Sequence, residues 1–514
     1  MRICAVSLPE IRVEIVRESD ASLERAPLGI VVAPPPMTET KLLGNTRLDV
    51  VSYEAQRLGV RSGQTIAQAR ARAGALSVRV VRPEAVRDVL ARLAEIALAF
   101  GATVAFSTDE DVVWVDVTGC AHLHVPGRDR QMEGETLLAR RLKNAFESLG
   151  HRCTVAIADG PRIASMLARM AKPDTENEVL VVQPGANARA IEALPARALP
   201  LADGDVRWLA KVGVRTIGEM RELPRTGLAS RLGANASVIV ALMDGDDRAP
   251  LTPHVPPEIP EETAALEYGV EGTDALTFVA KTLTDRLAAR LAGRAVATSK
   301  IELELKLDAA LLEDRTKDTE IVTCILPAPL STATDLLAAM RPRLERLVLR
   351  APVLAAKLRA PTLVHKPQAA LSLFEAQPKA DRALPRLVAE LAADLGPEAV
   401  GAIVLGDSWV PEDRSRFVSL EQSKTMTSKK KMRHLSSTAP EPTRILREPE
   451  PVPRDSVKIV RHLSRTEALE WWKQLPEDKR MRGVDHVYAW VADAAAWVEI
   501  DRRSGAARVR GWFD

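Results

Sequence analysis

Aromatic residues are scarce in this 514-residue chain: Phe, Trp and Tyr together make up 4% of it, with three tyrosines. A core with so few rings must be filled by alanine, leucine and valine, which dominate instead. That composition favours α/β or α-rich modules and excludes extensive disorder except locally. Cysteine is equally sparse. Cys4, Cys120, Cys153 and Cys324 lie far apart and lack metal-ligand spacing, so neither a disulfide framework nor a zinc site is expected. Reduced, partly buried thiols of a cytoplasmic protein fit better. Excess charge is missing too. With a formal net charge of +2, no whole-protein cationic field draws the chain to nucleic acid, and any DNA contact must come from local patches. No apolar run approaches the ~20 residues of a membrane span, and Met1 to Leu8 is too short for a signal-peptide core. A cytoplasmic protein with no membrane partner is expected.

Periodicity divides what is present into modules. Ile3 to Leu8 reads as a buried first strand, and Ile11 to Val16 has strand or helix character. Leu28 to Val32 is a second apolar run before Pro34-Pro35-Pro36. Gln64 to Ala73 reads as a helix, Val78 to Val81 as a short strand, and Glu84 to Phe100 as a strongly amphipathic helix. A hairpin follows, Thr103 to Phe106 and Val112 to Val117, turning through Thr108-Asp109-Glu110-Asp111. Helix Glu135 to Leu149, strand Thr154 to Ala158 and helix Pro161 to Ala171 complete a β-α-β-β-α-β order. That order predicts an antiparallel-containing sheet with helices on one face. Residues 201–233 read as short helices joined by glycine bends, and 253–260 as a proline-rich linker. Helix Asp274 to Leu291, the strictly alternating strand Lys300 to Asp308, a strand at Glu320 to Ile325 and helix Thr334 to Arg346 predict a sheet covered by two helices. In the strand, Ile301, Leu303, Leu305 and Leu307 share one face. A further helix is expected at Ala380 to Leu395. Residues 423–453, polar and rich in lysine and proline, read as a flexible tether. Three short strands are expected in the C-terminal module, at 487–491, 496–500 and 508–513. No internal repeat is evident.

Ser52-Tyr53-Glu54-Ala55-Gln56-Arg57-Leu58-Gly59-Val60-Arg61-Ser62-Gly63 joins a strand to a helical turn. Such a junction can offer a phenol and a guanidinium to a phosphate. The stretch resembles the fingers motif S-Y-E-A-R-K-F-G-V-R-S-G of the Y-family translesion DNA polymerases. The resemblance runs in order through residues 1 to about 360, with Asp116-Val117-Thr118-Gly119 matching a second motif. Within that family the chain resembles the catalytically degenerate, ImuB-like branch. The resemblance implies an α/β multidomain fold shaped as a right hand with a C-terminal extension. Palm would be 1–25 and 76–175, fingers 26–75, a helix-hairpin-helix thumb 176–250 and the little finger 261–362. Beyond these, 363–377 would be a clamp-binding linker, 378–422 a helical extension, 423–456 a flexible linker and 457–514 a partner-binding module.

Polymerase chemistry needs two divalent ions held by carboxylates on adjacent strand ends. Glu14 sets the register on the family's first strand and places Ala5 and Ser7 at its two aspartate positions. An alanine cannot ligate a metal, so a pseudo-polymerase is expected, with no cofactor and no metal site. Ser107-Thr108-Asp109-Glu110 resembles the family's second acidic pair. Two extra residues before Asp116 are expected to lengthen the hairpin and lift Asp109 and Glu110 into an exposed turn. The alternative is an active translesion polymerase with a reduced magnesium site at Asp109, Glu110 and Asp116. Tyr53, Arg57 and Lys172 match triphosphate contacts and would be the remnant of a nucleotide pocket.

Gln368-Ala369-Ala370-Leu371-Ser372-Leu373-Phe374 resembles the peptide by which bacterial polymerases dock on the sliding β clamp. Leu371, Leu373 and Phe374 would fill apolar pockets while Gln368 bonds at the rim. A basic stripe of Arg286, Arg290, Arg294 and Lys300, with Arg341, Arg343 and Arg346 on the next helix, is the candidate DNA contact. The C-terminal module concentrates Trp471, Trp472, Trp490, Trp497, Trp512 and Phe513, which implies a compact core or a partner surface. The resemblance implies damaged DNA or primer-template, the β clamp, a RecA-like accessory protein and an error-prone C-family polymerase as partners. The implied role is an adaptor in damage-induced mutagenic translesion synthesis.

Overall fold

A computed structural model describes residues 1–125, 130–171, 179–365, 387–388, 391–392, 395–396, 398–405, 415–419, 442–467 and 483–513. The chain divides into two compact units, Met1–Asp394 and Leu395–Asp514.

The first unit begins with β1 (Arg2–Ser7), α1 (Ile11–Ser19), β2 (Leu28–Val32), β3 (Val50–Val51), α2 (Tyr53–Arg57), α3 (Ile66–Arg72), β4 (Ser77–Val81) and α4 (Pro83–Ala97). The hairpin β5 (Val104–Ser107) and β6 (Val112–Asp116) follows, then α5 (Gln131–Glu147), β7 (Thr154–Asp159), α6 (Pro161–Met170) and β8 (Val179–Val181). One sheet has the order β5-β6-β1-β7-β8, with β1 at its centre and antiparallel to both neighbours. The strand expected at Val78 to Val81 leaves this sheet. As β4 it lies parallel to β2 in a separate three-stranded sheet, whose small core includes Leu48, Val60 and Ile66.

Every residue of β1 is buried. Cys4 and Val6 pack with Leu90, Leu93, Leu138 and Phe146 of α4 and α5. Ile3 and Ala5 face the other way, toward Ile163 and Leu167 of α6. Helices therefore cover both faces, which corrects the one-faced sheet expected from the element order. An unbroken apolar strand is the signature of two-sided burial.

Five short helices follow: α7 (Asn187–Ile191), α8 (Asp203–Lys211), α9 (Ile217–Arg221), α10 (Arg225–Leu232) and α11 (Ala236–Met243). Their apolar residues, Leu209, Ile217, Met220, Leu228 and Ile239 among them, join the α6 side of the sheet in one core. Gly213 turns the chain between α8 and α9 at φ +84°, a conformation that costs glycine little. Thr216 and Glu219 then form a capping box at the start of α9. The span Arg225–Met243 is long and apolar enough to cross a membrane by composition. It is interrupted at Gly233–Asn235, and its Leu228, Ile239 and Leu242 belong to this core.

The last part of the unit is β9 (Glu261–Val270), α12 (Thr273–Gly293), β10 (Val296–Leu307), β11 (Thr319–Leu330), α13 (Ala333–Glu345) and β12 (Val353–His365). Its antiparallel sheet runs β11-β10-β12-β9. Ile301, Leu303, Leu305 and Leu307 are each at most 1% exposed, packed with Leu283 and Leu287 of α12 and Leu336 of α13. The period-two pattern thus assigned the face correctly.

The second unit holds a hairpin, β13 (Gly401–Leu405) and β14 (Ser415–Ser419), within the 378–422 region expected to be helical. It also holds β15 (Arg444–Val452), β16 (Val457–Thr466), β17 (Val484–Val491), β18 (Ala494–Asp501) and β19 (Ala507–Trp512), ordered β15-β19-β18-β17-β16. The three expected strands are β17, β18 and β19. The tether expected over 423–456 is corrected by β15, which pairs with β19 from Arg444 onward. The prolines of this stretch, read as tether composition, include Pro449 and Pro451 of β15, and proline is tolerated at a sheet edge, where one side makes no ladder bonds.

Candidate functional site

Ala5, at the position of the missing aspartate, is fully buried, and Ser7 is 3% exposed. Opposite them on β6 stand Trp114 and Val112. Trp114 donates from Nε1 to the carbonyl of Pro161 at 3.1 Å, so it ties the strand to the start of α6. A methyl group, a hydroxyl and an indole offer no hard anionic oxygen to magnesium.

Asp109 and Glu110 lie in the β5–β6 turn and are exposed, beyond the strand end where Ser107 pairs with Val112. Asp116 sits at the other end of β6, opposite Ile3. Asp116 lies four residue steps along the strand from Val112, or about 13 Å at roughly 3.3 Å per residue. Asp116 therefore does not join Asp109 and Glu110, and the reduced three-carboxylate site is corrected. Instead its Oδ1 accepts from the Thr118 hydroxyl at 2.6 Å and the Thr118 amide at 3.0 Å. Among the described residues, no cluster of three or more His, Cys, Asp or Glu side chains could hold a metal.

The turn carboxylates have other partners. Glu110 Oε2 accepts from Ser165 Oγ at 2.6 Å and from Arg169 Nη1 at 3.3 Å, both on α6. Asp111 is ion-paired to Arg12 of α1, and Arg12 Nη2 also donates to the Thr108 carbonyl at 3.0 Å. Burial raises the Asp111 carboxyl above its ordinary value, and the Arg12 guanidinium opposes that shift. Asp111 takes a positive φ of 53°, and its carbonyl accepts from the Leu8 amide at 2.9 Å. The residues present do not fit a polymerase metal pair.

In the fingers motif, Ser52 caps α2 by accepting from the Ala55 amide. Tyr53 is 58% exposed, and Arg57, also exposed, lies one helical turn further on the same face. Glu54 pairs with Arg17 of α1 at 2.7 Å. Lys172 lies outside the described residues, as do Gln368, Leu371, Leu373 and Phe374.

The expected basic stripe does not form. Arg286 is 8% exposed and pairs with Glu18. Arg290 is 6% exposed and binds Glu95 through Nε at 2.8 Å and Nη2 at 2.6 Å, and Glu262 through Nη1 at 3.0 Å. Arg294 reaches the same Glu95 at 3.0 and 2.5 Å. Lys300 pairs with Glu302 at 2.8 Å, and Glu302 also holds Arg359 at 3.0 Å. On α13, Arg341 is exposed, while Arg343 is half-buried and donates to the Ala339 carbonyl; Arg346, the residue that caps the helix, is exposed. Helical spacing put Arg286, Arg290 and Arg294 on one face, as expected, but that face meets carboxylates of α1, α4 and β9. Sequence reading missed this network. Its signal was Glu95, a charge set among Leu90, Leu93, Ala94, Ile96 and Ala97 on the apolar face of α4, where it requires a buried partner.

The first unit thus combines a five-stranded sheet with helices on both faces, a small three-stranded sheet, a cluster of short helices and a four-stranded sheet, with no carboxylate on β1. Residues 11–170 match the impB/mucB/samB family. Protein ImuB of Caulobacter vibrioides is 32% identical over 179 residues, covering 35% of this chain and 36% of that protein. DNA polymerase IV of Moorella thermoacetica is 29% identical over 215 residues, covering 40% of this chain and 48% of that protein. The chain thus spans less than half the length of these curated relatives. DinB from Sulfolobus solfataricus aligns in three dimensions over 71% of this chain and 99% of its own, with 16% identity and a TM-score of 0.41. Over its first 170 residues the chain is similar to the impB/mucB/samB family, with ImuB and DNA polymerase IV among the proteins it resembles.

Proposed function

We propose that this protein is a non-catalytic Y-family homologue acting as an adaptor in translesion synthesis in the cytoplasm. It would bring together DNA, the β clamp and a partner that carries the polymerase chemistry. One observation carries the reading: Ala5, at the catalytic aspartate position, is buried, and the remaining turn acids Glu110 and Asp111 are bound to arginines. Two-metal catalysis has no bridging carboxylate there. The clamp contact rests on the Gln368 to Phe374 motif, and the RecA-like and C-family partners rest on the likeness to ImuB.

The likeness to DNA polymerase IV is the ground for a second reading, an active enzyme with a reduced metal site. Primer extension by the pure protein with magnesium or manganese separates the two. No template-dependent extension is expected. Extension that disappears in Asp109→Ala/Glu110→Ala would overturn the adaptor reading.

A further inference from the structure

We propose that one face of the C-terminal sheet is a platform for single-stranded DNA, built on Trp490 and Tyr488 of β17 and on Lys458 and Arg461 of β16. The site lies in the second unit and does not rest on the adaptor reading.

This sheet sorts its residues by size. Its core side holds Val487, Ala489, Ala496, Val498 and Val509, all aliphatic and fully buried, and Trp512 is the one ring among the described residues that packs against them. Alternation sends Tyr488, Trp490 and Trp497 to the opposite side, where Tyr488 stands across from Trp497. In a chain with so few aromatics, rings that a core could have used are kept out of it. Trp490 is 44% exposed, and Tyr488 and Trp497 are half-buried. Phe513 meets the Tyr488 ring edge-on, with 4.9 Å between centroids, so the phenol is held in place before any ligand arrives. Beside these rings runs β16, the edge strand. Lys458 stands opposite Trp490, and Arg461 opposite Tyr488. Both cations are exposed and make no ion pair among the described residues, whereas their neighbour Arg465 is bound to Asp485 at 2.7 Å. Neither is stacked on the ring it faces; among the described residues that contact is made by Arg231 over Trp208. Glu499, a carboxylate on the aromatic side, is held by Arg510 at 3.3 Å. Exposed ring faces beside unpaired cations match a strand whose bases are unstacked: rings take bases and cations take phosphates. A duplex hides its base faces, and an apolar protein partner would bury both cations without a counter-charge.

The test is binding of fluorescein-labelled oligo(dT) to the full chain, followed by anisotropy over a range of salt. Trp490→Ala should weaken binding about 5- to 150-fold, the range for one ring stacked on a base. Lys458→Gln/Arg461→Gln should reduce the slope of log affinity against log salt by about 1.4, for two phosphate contacts at ~0.7 each. Arg503→Gln, in the β18–β19 turn at the far end of the strands, should change neither. Photo-crosslinking through 5-iododeoxyuridine should label the peptide that carries Tyr488 and Trp490, and duplex DNA should compete poorly. Should Trp490→Ala lower the Tm, the exposed Lys458 and Arg461 pair decides alone. An unchanged salt slope in that pair variant would overturn the proposal and leave the face to a protein partner. Equal competition by duplex would overturn it as well. Neither result bears on primer extension, so the adaptor reading is judged separately.

Discussion

Removing the carboxylate of Glu95 should loosen the attachment of α12, and of the four-stranded sheet it covers, to α4. Glu95 is fully buried in α4 and takes four hydrogen bonds from Arg290 and Arg294 of α12, at 2.5 to 3.0 Å. The two arginine side chains are 8% and 10% exposed. In Glu95→Ala, both guanidiniums stay in the interface and lose their shared anion. Arg290 retains Glu262, which Arg92 also holds at 2.8 Å, so the network is weakened rather than erased. Breaking a buried ion pair by deleting one partner costs about 3–5 kcal/mol. Glu262 should hold the loss near the lower bound, at about 3 kcal/mol. That corresponds to roughly a 150-fold rise in the population of the open interface.

Amide hydrogen exchange by mass spectrometry reads this directly, because it reports local opening of α4 and α12 without assuming two-state unfolding of a multi-domain chain. Protection should fall in residues 83–97 and 273–293 and remain unchanged in 484–512, in the second unit. Gly293→Ala is an independent probe, since a Cβ there would lie 2.1 Å from the Glu95 carbonyl oxygen. It should open the same two helices without touching any charge. Replacing Glu95, Arg290 and Arg294 together by apolar residues of similar volume should recover most of the protection. A change in Glu95→Ala smaller than about 1 kcal/mol would place the pair in the class of exposed ion pairs and refute the reasoning.

The same interface makes stability depend on pH. Burial lowers the His254 pKa from its ordinary value of about 6.5; Arg290 and Arg294 push the same way, and Glu95 opposes them. The unfolded histidine therefore takes up a proton at higher pH than the folded one, so this contribution is present above about pH 6.5 and falls away below it. In His254→Gln that part of the acid loss should disappear from chemical denaturation curves recorded between pH 7.5 and 5. For the clamp motif, Leu371→Ala/Phe374→Ala should lose about 2–4 kcal/mol of affinity for purified β clamp by calorimetry, since burying each anchor is worth ~1.5–3 kcal/mol and ordering the peptide takes part back. Equal affinity of variant and wild type would remove the clamp from the adaptor reading.

Sequence alone determined the local elements and the absences that matter. The period-two run from Ile301 to Leu307 named the buried face of β10, the Glu84 to Phe100 stripe named α4, and the register from Glu14 placed Ala5 where a metal acid would stand. Local patterns are legible because side-chain direction repeats with backbone geometry. What each face meets is a different matter. The arginines of α12 share a face in any reading, yet only the packed chain reveals that this face meets Glu18, Glu95 and Glu262 rather than solvent. Likewise Asp116 looked like a neighbour of Asp109 in sequence. The antiparallel pairing carried it to the far end of β6, opposite Ile3. β15 was hidden by its prolines until β19 offered it an edge. Charges find partners, strands find edges and acids find distances only through contacts between residues far apart in the chain, and those are set by tertiary structure.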